Sequence, residues 1–305
     1  MNIIRRRTTT RRQILMAGAA SPLLCFAAAR APRFSMETYI WIQYAERNHK
    51  TLGECLDEVI PMAPAAGFKN VELNDSFLTP QLRDRTHSLV VSNGLRAPSV
   101  YAGGAMHTRE LAEQTIKNAI EIAEFSKPLG CRAIVTDPIP KPQRARKSDA
   151  ELAVQAESLN RLGRELSRRG VQLWVHNHDA EMVENAREWR RNLTGTDPKY
   201  VWMCIDLDWV HQGGQDPLGL LREAGKRVAA LHLRNSKDRL WLESFSDGDI
   251  DYRKIAAYLK SAKLSPLLVV ELAYRKETTV TRPLVEDLRL SRLYAQKIFG
   301  AEARV

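Results

Sequence analysis

The stretch Val171–Glu181, VQLWVHNHDAE, decides the reading of this chain. Val171-Gln172-Leu173-Trp174-Val175 follows Gly170 and is a short run of strand-forming residues. It stops at His176-Asn177-His178-Asp179, with Glu181 just beyond, and a segment of helical period follows at about 180–191. A strand so apolar is one covered on both faces. Its polar side chains are gathered at its C-terminal end and at the start of the next helix.

The same unit recurs on either side. Upstream, strands are expected at Thr38–Ile42, Val71–Leu73, Ala97–Tyr101 and Ala133–Val135. Helices follow them at about 52–66, 79–93, 108–127 and 149–169, the first, second and fourth closing on Gly67, Gly94 and Gly170. Downstream, strands are expected at Val201–Ile205, Val228–Leu233 and Leu267–Glu271, with helices at about 216–225, 251–262 and 283–298. Eight strand–helix units in about 265 residues predict one (β/α)₈ TIM barrel over residues 32–305. An open doubly wound sheet would carry a glycine-rich phosphate loop after an early strand, and Gly103-Gly104 lacks the rest of that pattern.

Residues 1–31 have another composition. Arg5-Arg6-Arg7-Thr8-Thr9-Thr10-Arg11-Arg12 precedes a weakly apolar run of small residues, Ala17 to Ala29. That order describes an export signal. Thr10-Arg11-Arg12-Gln13-Ile14-Leu15 resembles the twin-arginine motif, so a periplasmic protein cleaved near Ala29 or Ala31 is expected. The chain carries 46 basic and 36 acidic residues, a net +10. Six arginines and no acid lie in residues 1–31, which leaves 40 against 36 for the rest. The basic balance therefore belongs largely to the leader and gives no sign of nucleic-acid binding. No uncharged apolar stretch reaches 18 residues, so no membrane span is expected. Cys55, Cys131 and Cys204, an odd number at wide spacing outside the leader, read as buried free thiols. Arg144-Ala145-Arg146-Lys147 reads as a solvated loop or helix start.

In this fold, polar residues at strand C-termini line the active site. Glu72 ends the second strand and the fourth runs into Asp137. The fifth ends in the His176–Asp179 cluster, the sixth in Asp206-Leu207-Asp208-Trp209, the seventh carries His232 and Arg234, and the eighth ends in Glu271. Four successive strands ending in Asp, Glu or His do not arise from packing, because unpaired buried charge is costly. Imidazoles mixed with carboxylates are the donor set of a divalent ion. Trp41, Trp209 and Trp241 are candidates for an apolar face that stacks on a sugar ring.

The order and spacing of these pieces resemble the xylose isomerase-like barrels over about residues 37–298. The pieces are Ala66–Leu73, Val175–Glu181, Ile205–Val210, Gly213–Pro217, Arg227–Arg234, Gly248–Tyr252 and Val269–Glu271. The resemblance implies one divalent ion (manganese, magnesium, zinc and cobalt are not distinguished) held by His176, Asp206, His232 and Glu271. It implies Glu271 as the catalytic base and His178 as substrate ligand or general acid. Glu72, Asp208, Trp209 and Arg234 are taken as substrate-binding positions. The departure is at strand five, where epimerases of the family carry Glu and this chain has His176. Glu181 is the alternative ligand there.

The expected activity is that of a metal-dependent sugar isomerase or epimerase. A keto-sugar or keto-inositol dehydratase is the alternative, favoured by the missing strand-five Glu. A non-catalytic carbohydrate-binding barrel is the reading from another class. The expected partner is a small sugar-like molecule, with a homo-oligomer left open.

Overall fold

The structure is a computed structural model of the chain, and it describes residues 34–300. Eight parallel strands close on themselves: β1 Phe34–Glu37, β2 Asn70–Asn74, β3 Arg96–Tyr101, β4 Ala133–Thr136, β5 Gln172–Val175, β6 Val201–Asp206, β7 Val228–Leu233 and β8 Leu267–Val270. Each strand pairs with the next in sequence, and β8 pairs back to β1 with Phe34 opposite Leu268 and Met36 opposite Val270. The expected (β/α)₈ barrel is the observed fold. The expected leader and its expected cleavage sites lie outside the described residues.

Local sequence explains where the helices begin. Thr51 and Ser148 each accept from the amide three residues on, while Glu54 and Glu151 reach back to the cap amide. Such reciprocal capping satisfies two otherwise orphaned backbone donors. The helices Arg109–Ser126, Asp149–Arg168 and Leu284–Phe299 bury one face against the outside of the barrel. Fully burying a Leu, Ile or Val side chain contributes roughly 1.5–3 kcal/mol. Leu159, Leu162, Leu166 and Leu288 are buried in this way.

The first strand differs from expectation. Tyr39–Arg47 is a helix, and the strand begins four residues earlier than expected, at Phe34–Glu37. A short apolar run does not distinguish strand from helix by period alone. Tertiary packing settles it here: Ile40, Trp41 and Ala45 share the buried face of the helix, and Trp41 meets Phe77 edge-on at 5.9 Å. Trp41 is thus core, not a sugar platform. Two further elements were not expected, a helix at Leu207–Gln212 and a small hairpin pairing Ser236–Lys237 with Leu240–Trp241.

The inside of the barrel is layered by the two-residue period of its strands. The lower layer is apolar: Ala133, Val135, Trp174, Cys204, Ala230, Leu267 and Val269. Two residues further on, the same faces carry Asp137, His176, Asp206, His232 and Glu271. Cys131 and Cys204 are free and buried, and burial pushes both thiols up to about 12. Cys55 is free and buried as well.

Arg144 and Arg146 of the basic cluster are exposed, as a solvated loop implies, and Lys147 is buried. Arg144 pairs with Asp179, Arg146 with Glu184 at 2.7 Å and buried Lys147 with Glu188 at 2.6 Å. These pairs strap the loop after β4 to the segment after β5.

Candidate metal centre and cavity

His176, Asp206, His232 and Glu271 meet at the C-terminal mouth of the barrel. Each is buried, and one ligand atom from each lies within 4.8 Å of the other three. They come from the ends of four consecutive strands, so the sheet itself sets their spacing.

Asparagine and backbone contacts hold the frame. Asn177 Nδ2 donates to the Asp206 carbonyl at 3.1 Å, tying the end of β5 to that of β6. Asp206 Oδ1 caps the next helix by accepting from the Trp209 amide at 2.7 Å, which leaves Oδ2 turned toward the cluster. His232 Nε2 stands 2.8 Å from Glu72 Oε1, and Glu72 Oε2 accepts from Ser99 Oγ at 2.5 Å. His232 Nδ1 faces Glu271 Oε2. A carboxylate behind one imidazole nitrogen, with the other turned to the cluster, is how metal-binding histidines are oriented.

The donor atoms fit a cation. Among the described residues, neither ring nitrogen of His176 has a hydrogen-bond partner although the side chain is 1% exposed. Leaving such a group unsatisfied costs about 1–3 kcal/mol. His176 Nε2 lies 3.9 Å from Asp206 Oδ2 and 3.7 Å from Glu271 Oε2, too far for hydrogen bonds but suited to ligands around a shared ion. Burial, helped by neighbouring His232 and His178, pushes the His176 imidazole down to about 3, so it is a neutral ligand. Burial, with Glu271 and Asp208 nearby, pushes the Asp206 carboxyl up to about 7 against the pull of Arg234. Two imidazoles and two carboxylates suit one divalent ion.

Arg234 is the cation already present. Its Nη2 donates to Asp206 Oδ2 at 2.9 Å and its Nη1 lies 3.2 Å from Glu271 Oε1. Despite burial, Arg234 and His232 hold the Glu271 carboxyl well below its ordinary range. The guanidinium packs against two mutually perpendicular rings, 4.8 Å from the centre of Trp209 and 4.3 Å from that of Trp241.

Above the cluster opens a cavity of about 240 Å³. His176 and Glu271 form its floor, and Glu37, Tyr39, Asn74, Tyr101, His178, Trp209, Arg234 and Trp241 complete its wall. A larger groove of about 680 Å³ runs along Leu264, Leu268 and Phe299 near the start of β8, and its lining contains no histidine or carboxylate.

On the wall, His178 Nδ1 lies 3.3 Å from Asp137 Oδ2, and Tyr101 Oη donates to Asp137 Oδ1 at 2.8 Å. Burial alone would lower the His178 imidazole, but its contact with Asp137 outweighs it and pushes it up to about 9. Without a metal, His178 is therefore a protonated group facing the cavity.

Three expected roles are corrected. Glu181 is not in the ligand cluster: it is wholly buried, and its Oε2 accepts from the His178 amide at 2.7 Å, propping that loop. Glu72 is fully buried behind His232, 2.8 Å from its Nε2, and is not among the residues that line the cavity, a placement suited to orienting that imidazole. Asp208 is likewise off the wall: it accepts from Ser236 Oγ at 2.5 Å and lies 3.8 Å from Arg234 Nε. Trp209 and Arg234 do reach the cavity. Sequence reasoning missed Glu37, Tyr39, Asn74 and Tyr101. Two-residue spacing offered a signal for three of them: Glu37 follows Ser35, Asn74 follows Glu72, and Tyr101 follows Ser99.

Fold and site together define a TIM barrel with a candidate metal centre at the mouth of its strands. The chain belongs to the xylose isomerase-like TIM barrel family, whose description matches residues 44–294. An inosose dehydratase of Salmonella agona is 30% identical over 142 residues, which are 41% of this chain and 47% of that one. The chain thus spans about half the length of that relative. An inosose dehydratase of Clostridium perfringens is 22% identical over 276 residues, covering 81% of this chain and 90% of the other. A sugar phosphate isomerase/epimerase of Parabacteroides distasonis has the same fold, with a TM-score of 0.66 and 20% identity over 88% of this chain and 96% of that one. Among the described residues, no helix is long and apolar enough to cross a membrane.

Proposed function

We propose that the protein is a divalent-metal-dependent lyase acting on a ketone-bearing sugar or cyclitol, from which it removes a proton beside the carbonyl and expels the oxygen one carbon further on. The observation that carries this is the asymmetry of the cavity. Glu271 supplies a carboxylate on β8, while β5 brings His176 and His178 to the cavity and no carboxylate. Inverting a carbon by two opposed bases calls for an acceptor and a donor of matched kind across the substrate. Elimination calls for one base and a separate acid. The likeness to inosose dehydratases supports the same reading.

A divalent ion held by His176, Asp206, His232 and Glu271 would polarise the carbonyl and acidify the neighbouring C–H. Glu271 then receives the proton on a carboxylate oxygen. Trp209 and Trp241 offer apolar surface to the ring, and His178 and Arg234 offer hydrogen bonds to its hydroxyls. A metal-dependent isomerase remains the second reading, because the same proton removal followed by return at a neighbouring carbon gives isomerisation.

The test is incubation with ketoses, inososes and 3-keto-glycosides in deuterated water. Loss of water or alcohol from the substrate is the expected outcome. Solvent deuterium in an isomeric product, with no elimination, overturns the lyase in favour of the isomerase.

We also infer that residues 1–31 are a twin-arginine leader and that the enzyme works in the periplasm. The support is their composition alone. The N-terminus of the mature protein is expected at Arg30 or Pro32, and an intact Met1 on exported protein would refute the leader.

A further inference from the structure

We propose that Glu37 is a catalytic residue of this site, the acid that protonates the departing oxygen on the same side of the substrate as Glu271. The proposal rests on the lyase reading above and names the group that reading leaves unassigned.

The argument begins with register. In the pairing of β1 with β8, Ser35 lies opposite Val269 and Met36 opposite Val270. One step further places Glu37 beside Glu271 at the barrel mouth. Neighbouring strands are about 4.8 Å apart, so the two side chains leave the barrel mouth from adjacent positions. Both line the same cavity.

Glu37 is also built to act on something in that cavity. It is 2% exposed. One carboxyl oxygen, Oε2, accepts from the Tyr39 amide at 2.5 Å, which fixes the side chain. The other, Oε1, is buried and has no partner among the described residues. A buried carboxyl oxygen without a partner is costly unless a ligand completes it. A hydroxyl or ether oxygen of a bound sugar would do so.

The reaction balances with these two groups. The C–H bond beside the carbonyl breaks and its proton passes to the Glu271 carboxylate. The electron pair becomes the new C=C bond as the C–O bond on the next carbon breaks. The departing oxygen takes the proton of the Glu37 carboxyl and leaves as water or an alcohol. Glu37 ends ionised and Glu271 protonated, and one proton transfer between these neighbours restores both. Acid and base on adjacent strands make this a syn elimination. His178, on the opposite side of the barrel, is left to bind substrate.

The test compares two leaving groups. Metal-loaded wild type, Glu37→Gln and Glu37→Asp are assayed with methyl 3-keto-β-glucoside and with 4-nitrophenyl 3-keto-β-glucoside, following both alcohol release and C2 hydrogen exchange in deuterated water. Circular dichroism and metal content establish that each variant is folded and loaded. Loss of a general acid costs typically 10²–10⁴-fold. Glu37→Gln is expected to lose that much kcat on the methyl glycoside and less than about threefold on the nitrophenyl glycoside, whose leaving group needs no proton. C2 exchange is expected to persist, and Glu37→Asp to recover part of the methyl-glycoside rate. Equal losses on both substrates, or none on either, overturn the role of Glu37 and leave the lyase standing. Wild-type protein that exchanges the C2 hydrogen but releases no alcohol overturns the lyase and this inference with it.

Discussion

Stripping the divalent ion is expected to abolish turnover and to lower the thermal unfolding midpoint by roughly 5–10 °C. The estimate follows from mass action, since an ion present at 100 times its Kd adds about 2.7 kcal/mol of stability. A chain of this size shifts by roughly 2–4 °C per kcal/mol. The physical reason is the company kept at the cluster. Asp206 and Glu271 are buried, and the positive charge beside them is that of Arg234, which reaches both. His176 has no partner for either nitrogen among the described residues. An ion supplies the missing charge and uses the orphaned donors together. Calorimetry with and without chelator is the measurement. Asp206→Asn should remove most of the metal-dependent increment while leaving a cooperative transition. A midpoint indifferent to manganese, magnesium, zinc and cobalt would refute the metal centre.

Glu271→Gln is expected to cut kcat by at least 10³-fold and to stop solvent exchange at the carbon beside the carbonyl. The amide has nearly the same shape but accepts no proton, and proton transfer by a placed side chain is worth about 10²–10⁴-fold by itself. The change also discharges a metal ligand and removes the anionic partner of Arg234 Nη1, so some loss of metal affinity adds to it. Exchange and turnover should fall together, because both begin with the same C–H cleavage. More than about a tenth of the wild-type exchange in the loaded variant would move the base elsewhere.

Much of this site is legible in the sequence. Asp206, His232 and Glu271 stand at the ends of plainly apolar strands, and the barrel rule turns strand ends into a shared mouth. His176 was legible as a position but not as a ligand, because Glu181 competed for the role on chemistry alone. Tertiary structure separates them: His176 continues the inward face of β5 above Trp174, while Glu181 sits in a 3-10 turn, turned back to the His178 amide. Glu37 was obscured by a competing strand reading just downstream. Tyr39–Ile42 mimics a strand, and only the packing of Trp41 against Phe77 shows it to be helix. Moving the first strand back to Phe34–Glu37 brings a carboxyl into the cavity. Glu72 and Asp208 illustrate the reverse case: both are polar and near strand ends, but Glu72 is turned to His232 and Asp208 to Ser236, and neither lines the cavity.

By itself, the sequence determined the eightfold alternation of strand and helix and the four strand ends that carry metal-type donors. Those follow from local period and from the cost of burying unpaired charge. Only the tertiary structure decided which donors converge, which carboxylate stands behind His232, and that Glu37 lies beside Glu271. These depend on strand register and on which residue of each strand faces inward, and both are set by closure of the barrel, not by any segment alone.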